Sequence, residues 1–525
     1  MSTKAAPQRE TAETLAKKQK QISISEFFAK NRHLLGFDNP RKALLTAIKE
    51  MVDNSLDACE DMGMPPDIFV GIDPGERENR FRITVRDNGP GILKKQVPSV
   101  FGKLLYGSKF HGYRQQRGQQ GIGVSAAGLY AMLTTGKPVE VITKTGPRKK
   151  AYRCELRIDT QHNRPDTLGE KELDWDEVRH GTEVVMELEG TYQRGRHSVD
   201  SYLEQTAITN PHAQITYRTP DGEERVFERA TTEMPRPTHA IKPHPYGVEL
   251  GVLMRMIKET SSKHLGEFFQ NEFSRVGAKV AAEICETAKA DPKSNPHRLG
   301  RASIDELYHA IQKVKISAPP TDCISPIGEE LLLKSLQKEV EADFYHTVTR
   351  SPAVYRGMPF CIEAGLAYGG NIPGDDPARL LRFANRVPLL YQQSGCAITK
   401  ATIETSWRNY NLQQSRGALP VGPLIIVVHM ASVWVPFTSE SKEAVASYPE
   451  IMKEIKLALQ DCGRKLGTFI RKRRREADEE KKRSYIQKYI PQIGIALQDI
   501  LGLNDKNRDD TCENLKTVLE RSRKM

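Results

Sequence analysis

The chain has 525 residues, of which 38% are hydrophobic and 28% charged, a length for roughly three or four domains at ~100–200 residues each and enough to bury more than one core. Its 38 glycines and 31 prolines follow no triplet period, which excludes a fibrous protein. Lys and Arg number 78 against 67 Asp and Glu, a net charge of +11. That balance points to an anionic partner without choosing one. The eight cysteines form no CxxC pair and are too sparse for a disulfide scaffold. The N-terminal stretch is polar, with no apolar signal region. The longest apolar run, PLIIVVH over 423–429, is far short of the ~20 residues that span a bilayer. These features together lead us to expect a soluble, intracellular, cytoplasmic protein with no membrane contact.

Residues 1–20 read as a disordered tail. A helix is expected from about Asn39, with Pro40 at its start and Leu44, Leu45, Ile48, Met51, Val52, Leu56 and Cys59 at helical spacing, ending at Gly63. Strands are expected over 68–72, 80–86, 139–143, 152–158 and 182–188, with a glycine-rich stretch over 102–128. The proline- and histidine-rich segment 235–245 reads as a linker, followed by helices over 248–314. Within them, Ser303 and Glu306 form a capping-box signature before Leu307. A second linker covers 317–328, and strands and helices mix beyond it. A last long helix begins near Pro449, with Ile455, Leu459, Cys462, Leu466 and Phe469 along one face.

Three elements carry chemistry. Glu50 and Asn54 lie four apart, on one face of the first helix and off its apolar stripe. Asp87-Asn88-Gly89-Pro90-Gly91 follows a strand directly. It is either a tight turn or a carboxylate beside glycines that let a flat ring approach. An ionised Asp only accepts, so Asp87 pairs with a donor such as an exocyclic amine. The third is Gly118-Gln119-Gln120-Gly121-Ile122-Gly123-Val124-Ser125, a glycine-rich loop running into an apolar stretch. Such a loop can aim backbone N–H groups at phosphates. It is neither a P-loop nor a clean dinucleotide fingerprint.

In this order and spacing, the three resemble the GHKL, or Bergerat-fold, ATPases. The helix motif corresponds to Glu50 through Ala58, the DNGxG motif to Asp87 through Gly91, and the lid to Gly118 through Ser125. The resemblance implies ATP and Mg²⁺ as cofactors. Glu50 is then the general base toward the attacking water, and Asn54 the Mg²⁺ ligand. Asp87 reads adenine, Gly91 lets the base sit close, and Gly118, Gln119, Gln120, Gly121, Ile122, Gly123, Val124 and Ser125 surround the phosphates. Ser108, Lys109 and Thr182 match further nucleotide-contacting positions, although Thr182 is equally well a plain strand threonine. Phosphoryl transfer needs positive charge on the γ-phosphate. Pro436-Phe437-Thr438-Ser439-Glu440-Ser441-Lys442 resembles a switch-lysine segment, which makes Lys442 the candidate.

Over nearly its whole length the chain is similar to the B subunits of type IIB DNA topoisomerases. The similarity rests on Gly36-Phe37-Asp38-Asn39-Pro40, Lys103 through Lys109, Phe273-Ser274-Arg275-Val276-Gly277, Pro319 through Gly328, and Arg382 through Tyr391. It implies an α+β multidomain chain. A Bergerat-type α/β sandwich with an N-terminal strap covers 21–235, a helix-two-turn-helix domain 236–316, and a transducer of ribosomal-protein-S5-like fold 317–480, ending in a long helix. Residues 481–525 dock the A subunit. The implied activity is that of an ATP-hydrolysing type II topoisomerase subunit, nucleoid-associated, in an A2B2 heterotetramer. It dimerises on binding ATP, traps double-stranded DNA and leaves cleavage to the A subunit. A chaperone-like or mismatch-repair-like clamp and a non-catalytic DNA scaffold are the alternatives. A histidine kinase is disfavoured because no phosphoacceptor helix precedes the ATP domain. The run Arg471-Lys472-Arg473-Arg474-Arg475 reads as a solvated helix face, a DNA-facing stripe or an import signal. Tyr485, Ile486, Tyr489, Ile490, Ile493, Ile495 and Leu497 form an apolar cluster suited to a partner.

Overall fold

The computed structural model describes residues 11–107, 112–118, 121–439 and 441–521. The first unit is a sheet of eight strands: β1 (Asp67–Pro74), β2 (Arg80–Asp87), β3 (Val139–Lys144), β4 (Ala151–Asp159), β5 (Arg164–Leu173), β6 (Gly181–Glu189), β7 (Gln214–Arg218) and β8 (Glu224–Phe227). They lie in the order β5-β4-β3-β6-β2-β1-β7-β8. Alternate residues point to one face, so Ile68, Val70, Ile72, Ile83, Val85, Val141, Leu156, Met186, Leu188 and Ile215 form one core with the helices. The helices Pro40–Met62, Gly123–Thr135 and Val199–Thr209 cover that face, giving a two-layer sandwich.

The first long helix forms where its caps dictate. Asn39 Oδ1 accepts from Lys42 N at 2.9 Å, and Pro40 sits where a missing N–H costs nothing. Gly63 at φ +75° ends the helix, its N–H donating to the Cys59 and Glu60 carbonyls. The buried stripe is wider than the apolar spacing implies. Asp53, Ser55 and Asp57 are buried too, because their side chains bond Tyr202, Asp87 and Arg117. Two expectations are corrected. Within the stretch read as a disordered tail, Ala12–Lys18 is a helix, held by reciprocal Thr11 and Thr14 capping although none of its residues is buried. The Ser303–Glu306 signature is no cap: the helix Arg301–Lys313 starts after Gly300 with no side-chain cap. Burying Ile304 as well as Leu307 extends the helix a turn upstream.

The segment 235–245 leads into four helices, Leu250–Glu259, Leu265–Glu272, Ala278–Thr287 and Arg301–Lys313. They pack around Leu253, Phe268, Phe269, Phe273, Ile284 and Leu307. A second sheet follows. Its strand Leu424–Ser432, which holds the apolar run, is buried throughout and lies between Met358–Tyr368 (antiparallel) and Arg379–Ala384 (parallel). Ile426, Val428 and Met430 pack toward the helices Ala397–Glu404 and Pro449–Leu501, while Ile425 and Val427 pack toward Glu329–Glu339. Burial on both faces explains the unbroken apolar reading.

The helix from Pro449 runs 53 residues to Leu501, through Pro491 and without a break at 480, and folds back against Asp505–Arg521. Gly494 permits that approach, since a Cβ there would overlap Cys512 Sγ. Among the described residues no helix is long and apolar enough to cross a membrane.

One polar cluster fixes the start of the second unit, which is the second sheet with its helices and the segment that leads into it. Glu363, with no exposure, accepts from Ile327 N (2.8 Å), Gly328 N (2.7 Å) and Thr349 Oγ1 (2.8 Å), and pairs with His429 Nδ1 at 2.7 Å. Arg386 N donates to His429 Nε2 at 2.9 Å, so the ring is neutral with its proton on Nδ1. Burial lowers the His429 pKa, in agreement. Burial works to raise Glu363, but the His429 and backbone donors hold it below the ordinary value. Replacing Glu363 with Ala leaves four buried donors without an acceptor. The expected loss is about 3–5 kcal/mol, read as a lower urea midpoint for the second unit.

Candidate functional site

A cavity of about 620 Å³ opens between the helix Pro40–Met62, the ends of β2 and β6 and the glycine-rich loop. Its floor is Asp87. That carboxylate accepts from Ser55 Oγ (3.0 Å), Gly89 N (2.9 Å) and Thr182 N (3.2 Å). Burial raises its pKa and these donors work against the rise. Thr182 Oγ1 stands 3.3 Å from Thr143 Oγ1, which accepts from Ile92 N at 2.7 Å. Thr143, missed in the sequence, ties the DNG turn to β3. Gly91 lines the cavity at φ +71°, and a Cβ there would collide with the Lys144 carbonyl. Its glycine therefore serves close packing of the turn on β3 as well as access to the cavity.

Glu50 and Asn54 line the cavity wall side by side. Neither side chain has a hydrogen-bond partner among the described residues. Gly123 opens the helix Gly123–Thr135 directly against Glu50, and a Cβ there would overlap its carboxylate. A Cβ at Gly118 would stand 3.7 Å from Asn54 Oδ1. Gly121 has φ +58°, and Ile122 and Val124 line the cavity beside it. The start of this helix thus borders the cavity, an arrangement suited to phosphate. Ser125 lines it too, but its hydroxyl donates to the Val100 and Lys103 carbonyls, each at 3.1 Å. Ser108, Lys109, Gln119 and Gln120 fall outside the described residues.

The far wall comes from the second unit: Pro388, Leu389, Leu390, Tyr391, Ser441, Lys442 and Glu443. Lys442 and Glu50 also border a smaller cavity with Asp53, Gln116, Arg117 and Asn385. The fold brings Glu50, Asn54, Asp87, the glycine-rich loop and Lys442, each singled out in the sequence, onto one cavity.

The base of the loop is held by charge. Arg117, almost fully buried, pairs with Asp57 (2.7 Å) and Glu60 (2.6 Å) and donates to Asn210 Oδ1 (2.5 Å). Those carboxylates keep its pKa high despite burial. The second unit grips the residues just before it. Gln115 N donates to the Cys323 carbonyl (2.8 Å), Ser325 N to Gln115 Oε1 (2.7 Å), and Asn385 Nδ2 to the Gln116 carbonyl (3.0 Å). Asn385 and Arg386, at φ +48° and +67°, are the two turn residues between paired Ala384 and Val387.

Comparison with known proteins agrees with this construction. Residues 39–189 match the model "Histidine kinase-, DNA gyrase B-, and HSP90-like ATPase". Residues 319–482 match "Topoisomerase VI B subunit, transducer". The chain is 50% identical over 493 residues to the type 2 DNA topoisomerase 6 B subunit of Methanosarcina barkeri, covering 93% of this chain and 79% of that protein. It is 48% identical over 485 residues to that of Archaeoglobus fulgidus, covering 92% and 80%. The chain belongs to the topoisomerase 6 B-subunit family. As such it is an ATP-binding and ATP-hydrolysing subunit of a type II DNA topoisomerase, combining a GHKL ATPase sandwich with a transducer. The chaperone-like and mismatch-repair-like alternatives are not favoured. The family matches the cavity's position, since the ATPase match ends at the last residue of β6 and the transducer match spans Pro388 through Glu443.

Asp53 is the buried acid that sequence reasoning passed over. It accepts from Tyr202 O–H at 3.0 Å, and burial pushes its pKa up to about 6, with Lys49 opposing and Glu50 adding to the rise. The folded chain therefore binds this proton more tightly than the unfolded chain does. Stability contributed here is present at low pH and lost as pH rises between ~4 and ~6, on the order of 2–3 kcal/mol. Asp53→Asn is expected to remove that slope, seen as a flatter dependence of thermal midpoint on pH than in the parent chain.

Proposed function

We propose that the cavity holds ATP·Mg²⁺ with its adenine on Asp87 and its γ-phosphate between Glu50, the loop helix and Lys442. The observation that supports this is the meeting on one cavity of a carboxylate and a carboxamide, both unpaired among the described residues, with a lysine from a second unit. Asp87 accepts from the adenine amine, and Thr182 stands beside it. Gly91 lets the base approach. Gly118, Gly121, Ile122, Gly123, Val124 and Ser125 surround the phosphates, and Ser108, Lys109, Gln119 and Gln120 are assigned as further nucleotide contacts. Glu50 orients and deprotonates the attacking water. Asn54 offers one neutral oxygen, a donor that fits Mg²⁺ because this ion keeps water and phosphate ligands. When bound there, the ion would neutralise phosphate charge. Lys442 places its charge on the γ-phosphate and carries the signal into the transducer.

Two such chains close on ATP, exchange their N-terminal straps and trap a duplex, while an A subunit cuts and reseals another in an A2B2 assembly. Ser25 Oγ donates to Asn163 Oδ1 within the chain, yet Ile22, Ile24 and Phe27 of the strap are exposed. The four-helix unit, residues 236–316, is a helix-two-turn-helix domain facing DNA, and residues 317–480 are the transducer. The run 471–475 lies exposed on the long helix. Arg473 pairs with Asp343 (2.9 Å) and Arg474 reaches the Asn411 carbonyl, so it is in part committed within the chain. Tyr485, Ile486, Tyr489, Ile493 and Ile495 stand exposed, a surface for the A subunit, while Ile490 is buried against the terminal helix.

Glu50→Ala is expected to lower ATP turnover by about 10²-fold or more while ADP still binds. Lys442→Ala is expected to lower kcat by on the order of 10²-fold with ADP affinity kept. Steady-state ATPase and ADP titration check both, and normal turnover in either variant removes that residue from its role. Decatenation by the paired A and B chains with Mg²⁺ and ATP, against none with ADP, tests the strand-passage reading. Removing residues 484–525 is expected to abolish co-purification with the A subunit and to spare ATP binding.

A further inference from the structure

The loop that carries Lys442 belongs to the second unit, but its attachment does not stay there. The loop is closed at its base by Thr438 N donating to the Ala444 carbonyl (2.9 Å) and by the bridge between Phe437 and Val445. Its tip turns at Lys442, a non-glycine residue at φ +52°. The next side chain, Glu443, crosses to the ATPase unit. Its carboxylate lies 2.5 Å from Lys42 Nζ, with side-chain exposures of 8% and 13%. Lys42 stands in the first turn of the helix Pro40–Met62. That helix carries Glu50 about two turns further on. Asp38 pairs with the same ammonium at 3.1 Å, and the Tyr391 ring lies beneath it, its centroid 5.3 Å away.

An ion pair so far out of water resists opening, because either charge left alone stays buried. One end of this pair is rigidly placed on the catalytic helix. The other end is the peptide neighbour of the lysine that borders the cavity with Glu50. We infer that Lys42 and Glu443 form an inter-unit latch that positions Lys442 over the γ-phosphate side of the cavity. This rests on the reading of Lys442 as the γ-phosphate lysine. Both are positioning residues: Glu443 lines the cavity wall but its carboxylate is taken by Lys42, and the pair acts by fixing the backbone from which Lys442 extends. Asp38 supplies a second carboxylate to the same ammonium, which holds Lys42 in place to receive Glu443.

The test is ATPase kinetics of the full chain with its A subunit and DNA. It compares Glu443→Gln, Glu443→Lys, Lys42→Glu, the double swap Lys42→Glu/Glu443→Lys, and Lys442→Ala. Displacing Lys442 without removing it is expected to lower kcat by about tenfold or more in each single charge variant. ADP affinity should stay within about twofold, a kcat-only effect that marks lost transition-state placement rather than lost binding. The double swap restores most of kcat, which a residue acting only through general stability does not do. Unchanged kcat in Glu443→Gln and Glu443→Lys, with Lys442→Ala still slow, overturns the latch and leaves the lysine reading standing. Lys442→Ala at normal rate overturns the lysine reading and the latch with it. A double swap as slow as the singles, with a thermal midpoint equal to the parent, also overturns the latch.

Discussion

Everything at this site depends on burying charge at the seam between the ATPase sheet and the transducer sheet. A buried charge must be paired, and pairing fixes geometry. Arg117 is fixed by Asp57, Glu60 and Asn210, which sets the point where the glycine-rich loop leaves the first unit. Glu363 is fixed by His429 and two backbone amides, which sets where the second unit begins. Between them run Gln115, Gln116, Ser325 and Asn385, hydrogen-bonded across the seam. The loop and the transducer cannot move independently while those bonds hold.

The cavity is thus shared property. Its floor, Asp87 with Ser55 and Thr182, is built inside one sandwich and is stiffened by β-strand register. Its opposite wall, from Pro388 to Tyr391 and from Ser441 to Glu443, belongs to the other unit. A floor in one body and a wall in another is the arrangement by which occupancy of a site can bias the orientation of two units. A ligand shifts such an equilibrium only by contacts that differ between the two states. Lys442, from the second unit, lines the cavity that Glu50 and Asn54 line from the first.

The local chemistry was legible because it is written in short spacings. Glu50 and Asn54 share a helical face, Asp87 follows a strand, and Asn39, Pro40 and Gly63 punctuate the helix. Other features were not. Ser303 and Glu306 have the spacing of a cap, but burial of Ile304 draws the helix past them. Residues 12–18 are too polar to predict order, yet they form two turns of helix with Thr11 and Thr14 capping its start. Asp53 and Asp57 look like solvated helix positions until Tyr202 and Arg117 are seen against them.

The sequence by itself determined the ATPase sandwich, the identity of its cavity-lining motifs and the apolar strand of the second sheet, since each depends on residues close together in the chain. Tertiary structure decided which distant charges meet: Lys42 with Glu443, Arg117 with Glu60, Glu363 with His429. Periodicity encodes which face of an element is buried and is silent about what it is buried against. Long-range pairing is set by how two independently folded layers dock, and a burial pattern read along one chain carries no information on that docking.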